Sequence, residues 1–255
     1  ADEVTYYDSG RWSVLADGGG TSLELIDSRA DNDVPESWQS SDEAGTWNTY
    51  TYRAVATSDN STEMYHEFIL GLLDQGIVLV DDISVIEDPD GSAVPLLQNG
   101  TFETDNLGLT PASWRINGDH RGTVVLDPDN PLQHVLRLEA DGPAEDRFNH
   151  AETTFLGNAA IQNGMEYELS FRAKWLAGSN QLHSRFFFNR MPRTTLLDVP
   201  AATGTPGLPN TRQIANSGPT FQNLRQFPPL PDPAEDVVVS VDIADPDAVS
   251  SATLW

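Results

Sequence analysis

Glu166-Tyr-Glu-Leu-Ser-Phe-Arg-Ala-Lys-Trp175 decides the fold class. Tyr167, Leu169, Phe171, Ala173 and Trp175 fall on one face, and Glu166, Glu168, Ser170, Arg172 and Lys174 on the other. Strict alternation of this kind is the pattern of a half-buried antiparallel strand. His134 to Ala140 and Leu182 to Asn189 alternate similarly. Gly76-Ile-Val-Leu-Val-Asp-Asp-Ile-Ser-Val-Ile86 is more continuously apolar, as in the inner strand of a sandwich. Further strands are predicted at 22–26, 46–56, 64–72, 123–126 and 151–155. No segment keeps apolar residues at helical spacing over three turns.

Turn clusters separate these runs: Asp17-Gly-Gly-Gly20, Asp88-Pro-Asp-Gly91, Asp127-Pro-Asp-Asn130 and Asn163-Gly164. Many short strands between such turns predict an all-β protein of antiparallel sandwiches. Charge marks the expected boundaries. Residues 1–93 carry 20 acids and 3 bases, residues 94–200 carry 13 and 9, and residues 201–255 carry 6 and 2. The first break is placed in the acidic Pro/Gly turn at 88–94. The second is at Pro200, where a stretch rich in Pro, Gly and Asn runs to Pro233 and is expected to form no regular sheet. The expected order is a first, imperfect module over 1–93, a second over 94–200, a connector over 201–233, and the start of a strand pair over 234–255.

The 255 residues carry 14 bases against 39 acids, a formal net charge of −25. A polyanion is repelled by such a chain, so nucleic acid is an unsuitable partner. The longest apolar run, Phe68 to Leu73, is far too short to span a membrane as a helix. With no cysteine, a thiol nucleophile, a disulfide framework and a thiolate metal site are excluded. Zero cysteine fits an exported bacterial protein. Ala1 is not a start methionine and no signal peptide is legible, so a segment of a longer chain is expected.

Leu96-Leu-Gln-Asn-Gly-Thr-Phe-Glu103 resembles the opening strand of galactose-binding-like jelly-roll modules, including carbohydrate-binding modules of the family 4, 9 and 22 type. Trp114 follows at the family's spacing. Val135-Leu-Arg-Leu-Glu139 and Tyr167 to Lys174 match later strands. In the first block, Trp47-Asn-Thr-Tyr-Thr-Tyr52 and Val80-Asp-Asp-Ile-Ser-Val85 resemble the later part of a second copy, without its opening motif. The resemblance implies two tandem jelly rolls. Fragments at 19–27 and 204–210 resemble pieces near lamin-tail-like domains, which occur in large secreted, often planctomycetal proteins that also carry CotH-type kinase domains. The last strands resemble the start of an Ig-like module, here truncated.

Sugar recognition needs flat apolar faces for the C–H side of a ring, with polar groups at the rim. Trp38 and Trp114 sit in loop-like contexts and are the leading ligand candidates. Tyr50 and Tyr52 share one strand face, which lines a groove or faces the other sheet. Trp47 and Trp175 read as core. Calcium is the expected ion, because acidic loops offer hard oxygen ligands. By resemblance, a structural calcium implicates Glu103 in the second module, and Asp81 or Asp82 with Glu24 in the first. Asp81 and Asp82 are adjacent acids in an apolar strand. An inward carboxylate needs a cation, an arginine or backbone donors, unless a bulge turns both acids outward. His150 and Glu152 share one side of a strand and offer a second, less favoured metal site.

No Gly-x-Ser-x-Gly elbow, His-Glu-x-x-His or phosphate-binding glycine loop occurs. The expected function is non-catalytic polysaccharide binding, outside the cell or at its surface, beside other domains of a parent protein. The alternatives are a spacer or surface-layer module stiffened by calcium, and an accessory region of a glycan-degrading enzyme.

Overall fold

The computed structural model describes residues 4–7, 10–17, 19–57, 66–201 and 203–253. Trp255 and the start of the strand predicted from residue 64 lie outside them. The chain forms two compact units. One gathers residues 1–17, 21–42 and 204–255, and the other residues 18–20 and 43–203. All strand pairs are antiparallel. Among the described residues the only helical elements are short 3-10 turns, and no helix is long and apolar enough to cross a membrane.

In chain order the strands are β1 (Leu23–Leu25), β2 (Trp38–Ser40), β3 (Asn48–Val55), β4 (Glu67–Leu72), β5 (Gly76–Glu87), β6 (Val94–Pro95), β7 (Trp114–Asn117), β8 (His120–Asp127), β9 (Asn130–Ala140), β10 (His150–Thr154), β11 (Glu166–Gly178), β12 (Gln181–Phe186), β13 (Arg190–Leu196), β14 (Thr220–Phe227) and β15 (Val238–Ala244).

The larger unit is a β-sandwich. One sheet has the order β13-β12-β4-β10-β7, and the other β3-β11-β5-β9-β8 with β6 beside β5. Phe68, Leu70, Leu72, Ala151, Leu182 and Phe186 of the first sheet meet residues of the second, among them Val80, Val85, Leu136, Leu138, Tyr167 and Trp175. Each of these twelve is no more than 2% exposed. The alternation on β11 is as its sequence predicts, with Tyr167, Leu169, Phe171, Ala173 and Trp175 all in the core.

The boundary expected at 88–94 is corrected by the strand pairing. β4 lies between β10 and β12, and β5 lies between β9 and β11, so each sheet contains strands from both sides of the acidic turn. The expected modules over 1–93 and 94–200 therefore share one core. The Asp88 turn is a hairpin corner: Asp88 Oδ2 takes the Ser92 N–H, and β6 folds back on β5. Residues 96–103, expected as an opening strand, form an irregular plug instead. Its Phe102 is fully buried against the Trp114 ring, with centroids 5.9 Å apart.

The smaller unit pairs β1 with β2 and β14 with β15. β14 falls inside the segment expected to be a sheet-free connector. Thr220–Phe227 has no internal proline and carries strand-favouring Thr220, Phe221 and Phe227, and these local features prevailed over the Pro-rich composition around it. Residues 205–214 are bound back onto β1, through Thr205 and Ser22, Asn210 and Leu25, and Ile214 and Ile26.

Candidate functional site: a cleft on the five-stranded sheet

Period-two alternation sends Ala151 of β10 into the core and His150 and Glu152 to the outer face. Glu152 pairs in register with Ile69 of β4 and Arg115 of β7, and Ile69 also pairs with Arg185 of β12. A row Arg185–Ile69–Glu152–Arg115 thus crosses four strands. The next row holds His183 opposite Gly71, with His150 alongside. A Cβ at Gly71 would lie 3.0 Å from His120 Nε2 and 3.3 Å from the Asn149 carbonyl oxygen, so glycine lets that segment approach the sheet closely.

Two turns raise walls above this face. Before β10, Asp146 Oδ1 accepts the Phe148 N–H at 2.9 Å and the Asp146 carbonyl accepts the Asn149 N–H at 3.0 Å. This fixes Arg147 and Phe148 at the lip, with the Arg147 guanidinium 4.9 Å from the Phe148 ring centre. Between β12 and β13, Phe186 pairs with Arg190 and leaves Phe187, Phe188 and Asn189 as the turn. Phe188 (φ 59°) and Asn189 (φ 62°) are both left-handed. Hairpin turns of this hand favour asparagine and glycine, and a phenylalanine there costs on the order of 1 kcal/mol. Phe148, Phe187 and Phe188 are 52%, 37% and 66% exposed.

These walls enclose an open cleft of about 530 Å³, lined by the three phenylalanines with Arg147, Arg185, His150, Glu152 and Asn189. A recess of about 130 Å³ shares Arg147, His150 and Arg185 with it and reaches His183 and Gly71.

Glu152 accepts from His150 Nε2 at 3.2 Å and from Arg115 Nε at 2.8 Å. The His150 bond is the main cause that holds its pKa down to about 2, and Arg115 adds to it against the opposing effect of burial. Burial lowers the Arg185 pKa, and Glu152 offsets this only in part. The His183 pKa is also lowered, first by burial and then by the Arg185 charge. His120 behind the recess is structural. Its Nε2 accepts the Leu72 N–H at 2.9 Å, so the proton sits on Nδ1, 2.8 Å from Asp119 Oδ1. Burial lowers the pKa of this imidazole, and Asp119 opposes the shift.

Of the residues singled out from sequence, His150 and Glu152 line the cleft, and the aromatic ligand candidates and the acids expected to hold calcium do not. Trp114 is 5% exposed and belongs to the core, where its Nε1 donates to the Asn99 carbonyl. Its loop-like surroundings are the plug that buries it. Tyr50 and Tyr52 lie opposite Phe171 and Leu169 and pack against the core, so they face the other sheet. The Tyr50 hydroxyl accepts the Asp198 N–H, and Arg193 lies over the Tyr52 ring. Trp38 belongs to the smaller unit, half-buried beside Trp12, with its Nε1 donating to the Asn32 carbonyl.

The acids expected to hold calcium have other partners. β5 carries one extra residue relative to β11, because Ser170 and Arg172 pair with Ser84 and Asp81. The bulge shifts the inward positions from Val78 and Val80 to Ile83 and Val85. Asp82 (φ 50°) is turned out to solvent, and Asp81 is buried against Arg172. Burial raises the Asp81 pKa, and the Arg172 hydrogen bond opposes this. Buried Glu24 accepts from Thr205 Oγ1, the Thr211 N–H and hydroxyl, and the Arg212 N–H. Burial alone would raise its pKa, but these four bonds hold it low. Exposed Glu103 accepts the His134 N–H at 3.3 Å, its one hydrogen bond among the described residues. Among the described residues no group of three or more His, Asp or Glu side chains is arranged to hold a metal ion.

Sequence reasoning placed His150 and Glu152 on one side of a strand, as observed, but missed the aromatic walls. The available signal was Phe186-Phe-Phe-Asn189, where the alternation of β12 breaks into consecutive aromatics at a turn. Comparison with known protein families, with curated proteins and with solved structures finds no match.

Proposed function

We propose that this chain is a non-catalytic glycan-binding module of an exported protein, and that the cleft on the five-stranded sheet is its binding site. The observation that carries the reading is the exposure of Phe148, Phe187 and Phe188 around one open cleft floored by polar side chains. Aromatic faces take the C–H side of a pyranose, and Arg, His and Asn groups beside them suit its hydroxyls. The left-handed Phe188 supports it further, because a costly backbone geometry holds that ring at the rim. Glu152 supports the non-catalytic reading. A general acid or base works best with a pKa near the operating pH, and Glu152 is held near 2.

Native affinity electrophoresis of the whole chain against plant and algal polysaccharides tests this. Retardation by at least one polymer is expected, reduced by Phe188→Ala and unchanged by Trp38→Ala. No retardation of folded protein by any polymer, or retardation insensitive to Phe148→Ala, Phe187→Ala and Phe188→Ala together, overturns it.

A further inference from the structure

Acids outnumber bases 39 to 14 in this protein, yet the cleft is lined by two guanidiniums and one carboxylate. That carboxylate, Glu152, is already engaged by Arg115 and His150. Asp146, in the adjoining recess, accepts the Phe148 N–H at Oδ1 and forms no ion pair with either arginine among the described residues. Arg185 is half-buried, and the one bond its guanidinium makes within the described structure is from Nη2 to the Arg147 carbonyl, at 2.9 Å. Among the described residues no carboxylate forms an ion pair with Arg185 or Arg147. Elsewhere in the sandwich Arg53 pairs with Asp90 and Glu168, Arg121 with Asp141, Arg137 with Glu139 and Arg172 with Asp81, while Arg193 lies over the Tyr52 ring. A partly desolvated guanidinium without a counter-ion is unfavourable, and its planar fork of donors matches a carboxylate or sulfate. The field is felt nearby, since the Arg185 charge adds to burial in lowering the His183 pKa.

We propose that the cleft selects anionic sugar chains, with the acid group of a uronate or sulfated residue taken by Arg185 and Arg147 and the sugar ring laid against Phe187 and Phe188. This rests on the glycan-binding reading and narrows it. Charge complementarity is the ground. A neutral polymer fills the aromatic part of the cleft but leaves both guanidiniums without an ion pair. An acidic one supplies what the protein, rich in carboxylates elsewhere, leaves out here. The protein's overall negative charge repels acidic polymers at long range, so the attraction must come from contacts inside the cleft.

The test is affinity electrophoresis of the full chain in polygalacturonate, in alginate, in a sulfated galactan, and in neutral galactan and mixed-linkage glucan. At least one acidic polymer is expected to bind roughly tenfold or more tightly than its neutral counterpart, in line with a charge-assisted hydrogen bond. The uronate and sulfate arms identify which acid group is read. Arg185→Gln and the exposed Arg147→Gln each remove that preference while circular dichroism stays unchanged. Equal retention on neutral and acidic polymers, still lost in Phe188→Ala, overturns the anionic preference and leaves the glycan reading standing. Failure of every polymer to retard the folded protein overturns both.

Discussion

Arg172 and Asp81 pair directly across β11 and β5, with Nη2 2.5 Å from Oδ2, and the bulge at Asp81–Asp82 creates the pairing. The same guanidinium lies 4.5 Å from the Trp47 ring centre, and the Trp47 Nε1 donates to Asp127. A carboxylate that is 1% exposed is tolerated here because an arginine on the neighbouring strand covers it. Arg172→Met leaves Asp81 buried without a counter-charge and is expected to cost about 3 kcal/mol at neutral pH. Burial already raises the Asp81 pKa, and loss of Arg172 raises it further. The deficit should therefore shrink as the pH falls through that raised value and Asp81 becomes neutral. Urea unfolding across pH measures it, and a pH-independent deficit would show that packing alone is lost.

Glu152 gives the opposite pH dependence. Its folded pKa, about 2, lies below the ordinary 4.5. The stabilisation is present in full above 4.5 and is lost as the pH falls from there towards 2. The shift corresponds to about 3 kcal/mol at most. Glu152→Gln should flatten the acid limb of the stability profile over that window and leave the neutral region sloped as before.

Trp114→Ala removes a core indole that packs on Phe68 and Phe102. The expected cost is about 3–5 kcal/mol, read as a lower denaturation midpoint. Trp114→Phe, which keeps most of the ring volume, is expected to bind polysaccharide like the parent. A selective loss of binding with unchanged stability would place Trp114 in the ligand site after all.

Glu24 holds the 205–212 segment of the smaller unit through four donors. Glu24→Ala leaves the Thr211 and Arg212 N–H groups without their acceptor, at a cost of about 1–3 kcal/mol. Hydrogen exchange at those two amides should accelerate, while the core strands β5 and β11 stay protected. With its oxygens taken, Glu24 has little to offer an ion, so calcium or EDTA should leave this exchange pattern unchanged.

The class of fold was legible because strand alternation is written residue by residue. Tyr167 to Trp175 needed no partner to show which side faces inward. The acidic Asp88 turn was legible as a turn but not as a corner inside one sandwich. A turn sequence fixes local chain reversal and says nothing about which distant strand completes the sheet. Asp81-Asp82 is the intermediate case. Two adjacent acids in an apolar strand required a partner or a bulge, and the structure uses both.

By itself the sequence determined the β period, the positions of the turns, the acidic surface and the absence of thiol chemistry. Each is a property of composition or of neighbours a few residues apart. Tertiary structure alone decided that strands from both sides of residue 93 share one core, that Trp114 is buried, and that 115, 147–152 and 185–189 meet on one sheet face. Those outcomes depend on register between strands separated by 30 to 120 residues in the chain. Register is set by the packing of a common core, and no short stretch of sequence contains it.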